Sequence, residues 1–271
     1  DDLYGGYVIG VPETYDHTFD KNVYDHFMNT GKEANSILET LARRLHDHSI
    51  TDALYDFLER FDEKKLVAVM GGHGLARNTE DYRMVARLSK ELAEDGYLMI
   101  SGGGPGAMEA THLGAWFAGR AIEDLEAAFL ILDTAPTYKD RLWLDTTMQV
   151  IAKYPKGKFE SLGVPTWLYG HEPPTPFATA IAKYFANSVR EDGLLTIAKG
   201  GVIFSPGSAG TIQEVFQEVT QNHYLSFGYS SPMIFLNKDY WTENRPVYPF
   251  LKDMSEQGKL KNLILSNCDT I

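Results

Sequence analysis

Three short apolar segments that each end in glycine constrain the fold of this chain more than any other feature. Segments 66–70, 97–100 and 202–204 lead into glycine-rich turns at 71–74, 102–106 and 206–210. Strands that are apolar throughout and alternate with helical segments are typical of a parallel sheet with helices on both faces. The sequence therefore predicts an α/β protein with a Rossmann-like, doubly wound parallel sheet.

The remaining pattern predicts the other elements and the domain organisation. We expect further strands at 165–169, 233–236 and 263–265, and helices at 78–94, 179–190, 211–224 and 247–257. Residues 1–62 form an N-terminal extension, with an irregular arm to about residue 30 and then two amphipathic helices. Residues 63–271 form the nucleotide-binding domain, which a helical insertion interrupts at about 119–160, with helices around 124–132 and 142–153.

Composition excludes several classes of partner. The 271-residue chain has a formal net charge of −12, whereas surfaces that track nucleic-acid phosphates need clustered Lys and Arg. No apolar run approaches the length of a membrane span. The one cysteine, Cys268, excludes an internal disulfide framework and fits a reducing compartment, so we expect a cytoplasmic protein. The first residue is Asp1 rather than Met, so the sequence carries no information on a targeting segment upstream.

The glycine-rich turns predict a phosphate site. In a parallel sheet all three lie at the carboxyl edge, where open α/β folds bind ligands. Glycine lets a phosphate approach backbone N–H groups directly, and a helix that starts there adds its free amides and its dipole. The candidate binding residues are Gly71, Gly72, Gly103, Gly104, Gly207, Ser208, Ala209, Gly210 and Thr211. A tight βα connection is the alternative for each turn taken alone.

Other ligand motifs fit the sequence less well. Gly102, Gly104 and Ala107 match the dinucleotide pattern G-x-G-x-x-A, but no strand leads into the acidic residues Glu123 and Asp124 that would have to follow. A Walker A motif is absent, and the turn around Ser208 lacks the first glycine of a nucleophile elbow. His46 and His48 form an isolated pair, so we expect neither a metal nor a resident cofactor.

Two longer motifs resemble a known family. Residues 101–110 read S-G-G-G-P-G-A-M-E-A, and residues 206–214 read P-G-S-A-G-T-I-Q-E. Both are similar to the signature blocks of the lonely-guy (LOG) family, often mislabelled lysine decarboxylases, and of related nucleotide 5′-monophosphate nucleosidases. The resemblance covers about residues 66–118 and 163–240. It implies a dimeric or higher homo-oligomer that hydrolyses a nucleoside 5′-monophosphate to free base and ribose 5-phosphate.

The resemblance also assigns roles to individual residues. Gly207, Gly210 and Thr211 would bind phosphate, Glu214 would be the catalytic carboxylate, and Met108 and Glu109 would lie beside the ribose. The family's catalytic arginine lies on the helix before the signature strand, and Arg190 is the nearest candidate. Ser208 departs from the family pattern, because it stands where the signature has its second glycine.

Structural alternatives remain open for several of these residues. Thr211 and Glu214 have the spacing of a capping box, and Arg190 can pair with the carboxyl end of the preceding helix. Glu214 shares a helical face with Gln217, Glu218 and Gln221, which fits a solvated surface. His73 and Arg77 fit exposed loop positions. Tyr138, Trp143, Tyr154 and Trp167 are candidates for a base pocket or for core packing.

The sequence is therefore compatible with three alternative functions. The first is a phosphoribohydrolase that acts on a small-molecule nucleotide, and the second is a non-catalytic nucleotide sensor or carrier. The third is an interaction protein in which the N-terminal helices engage partners. Turnover requires Glu214, ligand binding requires the glycine-rich turns, and a scaffold requires neither.

Overall fold

The computed structural model describes residues 3–169 and 173–269. A seven-stranded sheet in which every described pairing is parallel forms its centre, in the order β4-β3-β2-β1-β5-β6-β7. The predicted fold class is confirmed. The strands are β1 (Leu66–Met70), β2 (Leu98–Ser101), β3 (Ser161–Gly163), β4 (Ala180–Ile181), β5 (Gly201–Phe204), β6 (Pro232–Leu236) and β7 (Ile264–Cys268).

Helices cover both faces of the sheet. They are α1 (Phe19–Asn29), α2 (Ile37–Leu58), α3 (Glu80–Glu94), α4 (Ala107–Phe117), α5 (Ile122–Leu132), α6 (Trp143–Lys153), α7 (Asn187–Ile197), α8 (Ala209–Tyr224) and α9 (Val247–Glu256). The apolar side chains of α2, α7, α8 and α9 pack in one core layer. Those of α3, α4, α5 and α6 pack in the other. Among the described residues, no helix is both long and apolar enough to cross a membrane.

The central strands follow directly from their sequence. β1, β2 and β5 are buried along their whole length, as a strand covered on both faces requires. β1 pairs with β2 from Leu66 opposite Leu98, and with β5 from Val67 opposite Gly201. Because all three strands run the same way, their glycine-rich turns lie at the same edge.

The N-terminal region is more regular than predicted. The arm expected to be irregular contains α1, which begins where the side chain of Thr18 accepts a hydrogen bond from the Lys21 amide. The two helices expected after it are one continuous helix, α2, capped by Ser36. No Gly or Pro separates Leu45 from Leu54, so nothing in the backbone interrupts this helix.

The segment from 160 to 200 differs from the prediction. The strand expected at 165–169 lies earlier, as β3, and 165–169 contributes one isolated bridge, between Thr166 and Tyr184. The helix expected at 179–190 is extended instead: β4 pairs with β3, and the Ala182 amide donates to Gly163 O (2.9 Å). The helix, α7, begins only at Asn187. Pairing with the sheet outweighs the local helical periodicity in this segment.

A buried ion pair joins the N-terminal helices to the sheet. The Lys183 ammonium contacts the Asp20 carboxylate, and both side chains are almost fully buried. The indole N–H of Trp167 donates to the same carboxylate oxygen of Asp20 (3.2 Å). Burial lowers the pKa of Lys183, and the carboxylate of Asp20 opposes that shift. Trp167 also stacks on Phe185 with a centroid distance of 4.5 Å.

Candidate functional site

The third glycine-rich turn presents the start of α8 to solvent. Ser208 is the N-cap residue, its side chain makes no capping hydrogen bond, and residues 208–210 are exposed. The first intrahelical bond runs from the Ile212 amide to Ser208 O (3.1 Å). The amides of Ala209, Gly210 and Thr211 therefore precede the helical ladder, and such amides form a ready anion site.

The capping-box alternative is wrong. A capping box needs threonine at the N-cap, but α8 starts at Ala209, so Thr211 is the third helical residue. Glu214 then lies one turn further into the helix, too late to reach back to the N-cap amide. A capping box therefore does not explain the presence of Glu214 at this position.

The first and third turns are in direct contact. The Gly72 amide donates to Pro206 O (3.1 Å). A Cβ atom on Gly207 would lie 2.1 Å from Thr211 Oγ1 and 3.0 Å from the Gly72 nitrogen, and Gly71 has no room for a side chain either. Glycine is thus required here because a side chain at either position would collide with neighbouring side chains and, at Gly207, with the backbone of the first turn.

The second turn is covered by protein. Residues 101–107, including Gly104, are buried, and the Thr175 amide donates to Gly103 O (2.8 Å). Gly103 and Gly106 have φ angles of +68° and +72°, a conformation that L side chains rarely adopt. Gly103 and Gly104, both predicted to bind the ligand, are thus buried in this structure.

Arg190 and Glu214 lie together beside these turns. Arg190 Nη1 is 4.0 Å from Glu214 Oε1, and the side chains are 11% and 17% exposed. Burial raises the pKa of Glu214 to about 7, Arg190 opposes that rise and Glu191 adds to it. A Cβ atom on Gly102 would lie 3.7 Å from Arg190 Nη2 and 2.7 Å from the sulfur of Met108.

The position of Arg190 excludes one alternative. It lies in the first turn of α7, not at the end of a helix, so it does not pair with the negative end of a helix dipole. Within the described residues, Arg190 Nε is buried without a hydrogen-bond partner. The guanidinium therefore retains donor capacity for a ligand.

Glu109 forms a buried ion pair with Arg77. Arg77 donates to it twice, from Nε to Oε2 (2.9 Å) and from Nη2 to Oε1 (2.5 Å), and Tyr82 donates its hydroxyl to Oε2 (3.0 Å). The side chains of Arg77 and Glu109 are 1% and 0% exposed. Arg77 also donates to the oxygens of Ala135 and Trp143 (3.1 and 3.2 Å). The arginine expected on an exposed loop thus joins α4 to the insertion.

The burial of two further titratable side chains was not predicted from the sequence. Glu218, assigned above to a solvated face, is 1% exposed, and burial raises its pKa to about 7. His112 is fully buried between Ser101 Oγ (2.8 Å) and Ser161 Oγ (2.9 Å), and burial lowers its pKa to about 3. Ser101 Oγ in turn accepts the Gly103 amide (3.0 Å). A neutral histidine therefore supports the second turn.

Besides a cavity of about 330 Å³ between the N-terminal arm and residues 138–144, two more lie near the insertion. The larger, about 850 Å³, is lined by the N-terminal residues, α6 and Trp167, away from the third turn. The smaller, about 160 Å³, lies against the first turn and is lined by Tyr138 and Trp143. Tyr154 packs on Phe117 at a centroid distance of 5.0 Å. Over residues 3–169 and 173–269, no group of three or more His, Cys, Asp or Glu side chains is placed to hold a metal ion.

Fold and site together define a Rossmann-like α/β protein with a carboxylate, a guanidinium and an open helix start at the carboxyl edge of its sheet. Residues 64–121 match the model of a family described as SLOG cluster4. The predicted resemblance to LOG-like proteins is confirmed for this segment. The match contains the first two glycine-rich turns, whereas the third turn lies beyond it. A comparison with curated proteins finds no significant match.

Solved structures show a similar arrangement of sheet and helices. The molybdenum cofactor binding protein of Rippkaea orientalis is 14% identical, with a TM-score of 0.48, over 76% of this chain and 89% of that one. The molybdenum cofactor carrier protein of Chlamydomonas reinhardtii is 15% identical, with a TM-score of 0.44, over 76% and 89%. At these values the likeness says nothing about what this chain binds.

Proposed function

We propose that the protein hydrolyses the N-glycosidic bond of a nucleoside 5′-monophosphate to give free base and ribose 5-phosphate. The observation that carries this proposal is the Glu214 carboxyl 4.0 Å from Arg190, on the helix whose open start follows the third turn. The 5′-phosphate would bind the amides of residues 209–211. This arrangement holds the sugar next to the one partly exposed carboxylate of α8 that faces an arginine.

The chemistry follows from the charge of the transition state. Water attacks C1′ while the bond from C1′ to the base nitrogen breaks, and positive charge develops on the sugar ring. Glu214 stabilises that charge and takes a proton from the water; the departing base takes up one proton from solvent, and Glu214 then returns its proton to solvent. A pKa of about 7 suits a general base at neutral pH. Arg190 either anchors the phosphate or stabilises the departing base.

The test is release of base from a panel of purine and pyrimidine nucleoside monophosphates, followed by chromatography. We expect Glu214→Gln to abolish release. The matched control is Glu218→Gln, which removes a carboxyl of similar pKa one turn further along α8 and should retain turnover. Equal release of base by wild type and Glu214→Gln would refute the catalytic role of Glu214, and no release by the wild type would refute the hydrolase proposal.

One observation favours the alternative of a non-catalytic nucleotide carrier or sensor. Glu109, which the resemblance places beside the ribose, has both oxygens bonded to Arg77 and is fully buried. Without Glu109 to position the ribose, a nucleotide held by the third turn would be bound without being cleaved. A nucleotide that raises the melting temperature but releases no base would support this alternative.

We also propose that the protein acts as a cytoplasmic homo-oligomer. Ile37, Leu38, Leu41 and Leu45 form an apolar stripe on α2 and are each more than half exposed. Contiguous apolar surface of this kind is typical of interfaces. Light scattering of the wild type against Leu41→Glu measures the state directly, and a monomeric wild type would contradict it.

A further inference from the structure

A small cleft separates the first glycine-rich turn from the insertion. Its volume is about 160 Å³, and one wall is formed by His73, Gly74 and Leu75. Tyr138 and Lys139 from the loop between α5 and α6 form the opposite wall. The segment that interrupts the α/β alternation is therefore half of a cleft at the ligand edge of the sheet.

The cleft is close to the open start of α8. Gly72 contacts the third turn through its hydrogen bond to Pro206 O (3.1 Å). Gly74, at the rim of the cleft, is two residues further on, and successive Cα atoms are about 3.8 Å apart, so it lies within about 8 Å of Gly72. A single short turn thus separates the cleft from the contact between the first and third turns.

That turn is held in place from below. A Cβ atom on Gly106 would lie 2.3 Å from Gly72 O and 2.8 Å from His73 O, and the Ala107 amide donates to Gly72 O (3.2 Å). The first turn therefore rests on the second without a gap. The opposite wall is fixed as well, because Arg77 bonds the Ala135 and Trp143 oxygens.

The walls carry aromatic side chains against which a flat heteroaromatic ring can pack. Tyr138 is half-buried, and its ring meets that of His73 edge to face, with centroids 5.8 Å apart. The exposed ammonium of Lys139 is 6.0 Å from the Tyr138 ring and can donate to a ring nitrogen or carbonyl. The charges of Arg77 and Glu109, which lie below the cleft, neutralise each other. The pair therefore adds no net charge that would attract the phosphate to the cleft rather than to the start of α8.

We propose that this cleft is the base subsite: the nucleobase lies between the first turn and the insertion, against Tyr138, while Lys139 contacts its polar edge. The identity of the ligand rests on the proposed function. The insertion then determines which base the protein prefers. The amides of α8 hold the other end of the same molecule.

The test compares nucleotides with ribose 5-phosphate, which lacks the base. Calorimetry measures the affinity of wild type, Tyr138→Ala and the control Tyr224→Ala for each. Tyr224 is 73% exposed at the far end of α8. Loss of one base–aromatic stack should weaken nucleotide binding about 5- to 150-fold and leave ribose 5-phosphate binding unchanged. Lys139→Ala, at an exposed position, should change the ranking of the bases.

Three outcomes overturn the subsite. Tyr138→Ala binds nucleotides as well as wild type does, or it loses ribose 5-phosphate and nucleotide affinity equally, or wild type binds no nucleotide more tightly than ribose 5-phosphate. The hydrolase proposal fails by a different result, in which wild type binds the nucleotide and releases no base. That result leaves the base subsite standing.

Discussion

Replacing Glu218 with glutamine is expected to stabilise the protein, and to do so only at neutral and alkaline pH. Glu218 lies on α8 with 1% of its surface exposed, and its Oε2 has no hydrogen-bond partner among the described residues. Burial raises its pKa from 4.5 to about 7, although hydrogen bonds from Ser231 and Asn222 oppose the rise. The ionised carboxylate is therefore unfavourable in this position.

The size of the expected stabilisation follows from the linkage between proton binding at Glu218 and folding. Between pH 4.5 and about 7 the folded chain holds more protons at Glu218 than the unfolded chain does, so the free energy of unfolding falls as the pH rises through this window. Each pKa unit corresponds to about 1.36 kcal/mol, which gives a total penalty of about 3 kcal/mol by pH 8. Glutamine has the same shape and no charge, so it removes this penalty.

Urea unfolding followed by tryptophan fluorescence measures the effect. The gain of Glu218→Gln over wild type should grow by about 2–3 kcal/mol from pH 5 to pH 8. Glu243→Gln, which changes an exposed glutamate, is the control and should show no such growth. A gain of equal size at both pH values, or a loss at pH 8, would refute the link between the burial of this carboxyl and its pKa.

Three other predictions concern the site. Arg77→Met leaves the buried Glu109 carboxylate without a counter-charge and should lower the free energy of unfolding by about 3–5 kcal/mol. If urea unfolding shows a decrease of less than about 1 kcal/mol, the ion pair does not stabilise the fold as argued. Gly207→Ala places a Cβ atom 2.1 Å from Thr211 Oγ1 and should weaken nucleotide binding at least about tenfold, whereas unchanged calorimetric affinity would show that the turn adapts. If Glu214 must be ionised, kcat/KM should rise about tenfold per pH unit up to about pH 7 and then level off; a flat profile, corrected for the ionisation of the substrate phosphate, would exclude it as the base.

The central sheet could be predicted because its strands are apolar without interruption. The strands at 66–70 and 202–204 carry only buried apolar side chains, and glycine marks their ends. The two strands on one side of the sheet, β3 and β4, lack this signal. β3 contains a serine and a glycine, and β4 has two residues, so neither is long enough to show a period.

The parts of the site that the sequence missed depend on contacts between distant residues. Arg77 and Glu109 are 32 positions apart, and each fits an ordinary exposed helix or loop position when taken alone. The pairing of Asp20 with Lys183 spans 163 positions. Local patterns contain no information on such partners, whereas the glycine-rich turns are visible because positions such as Gly103, Gly106 and Gly207 have a positive φ or no room for a side chain.

The ion pair between Asp20 and Lys183 limits the positions at which this chain can be truncated or fused to another protein. A chain shortened to begin at residue 63 would lose the carboxylate, together with α1 and α2, whose Phe27 and His46 pack on Phe185. Lys183 would lose its counter-charge, and Trp167 and Phe185 would form an aromatic patch open to self-association. We therefore expect the N-terminal helices to fold together with the sheet. A fusion partner or purification tag should be attached at the start of the chain, not at residue 62.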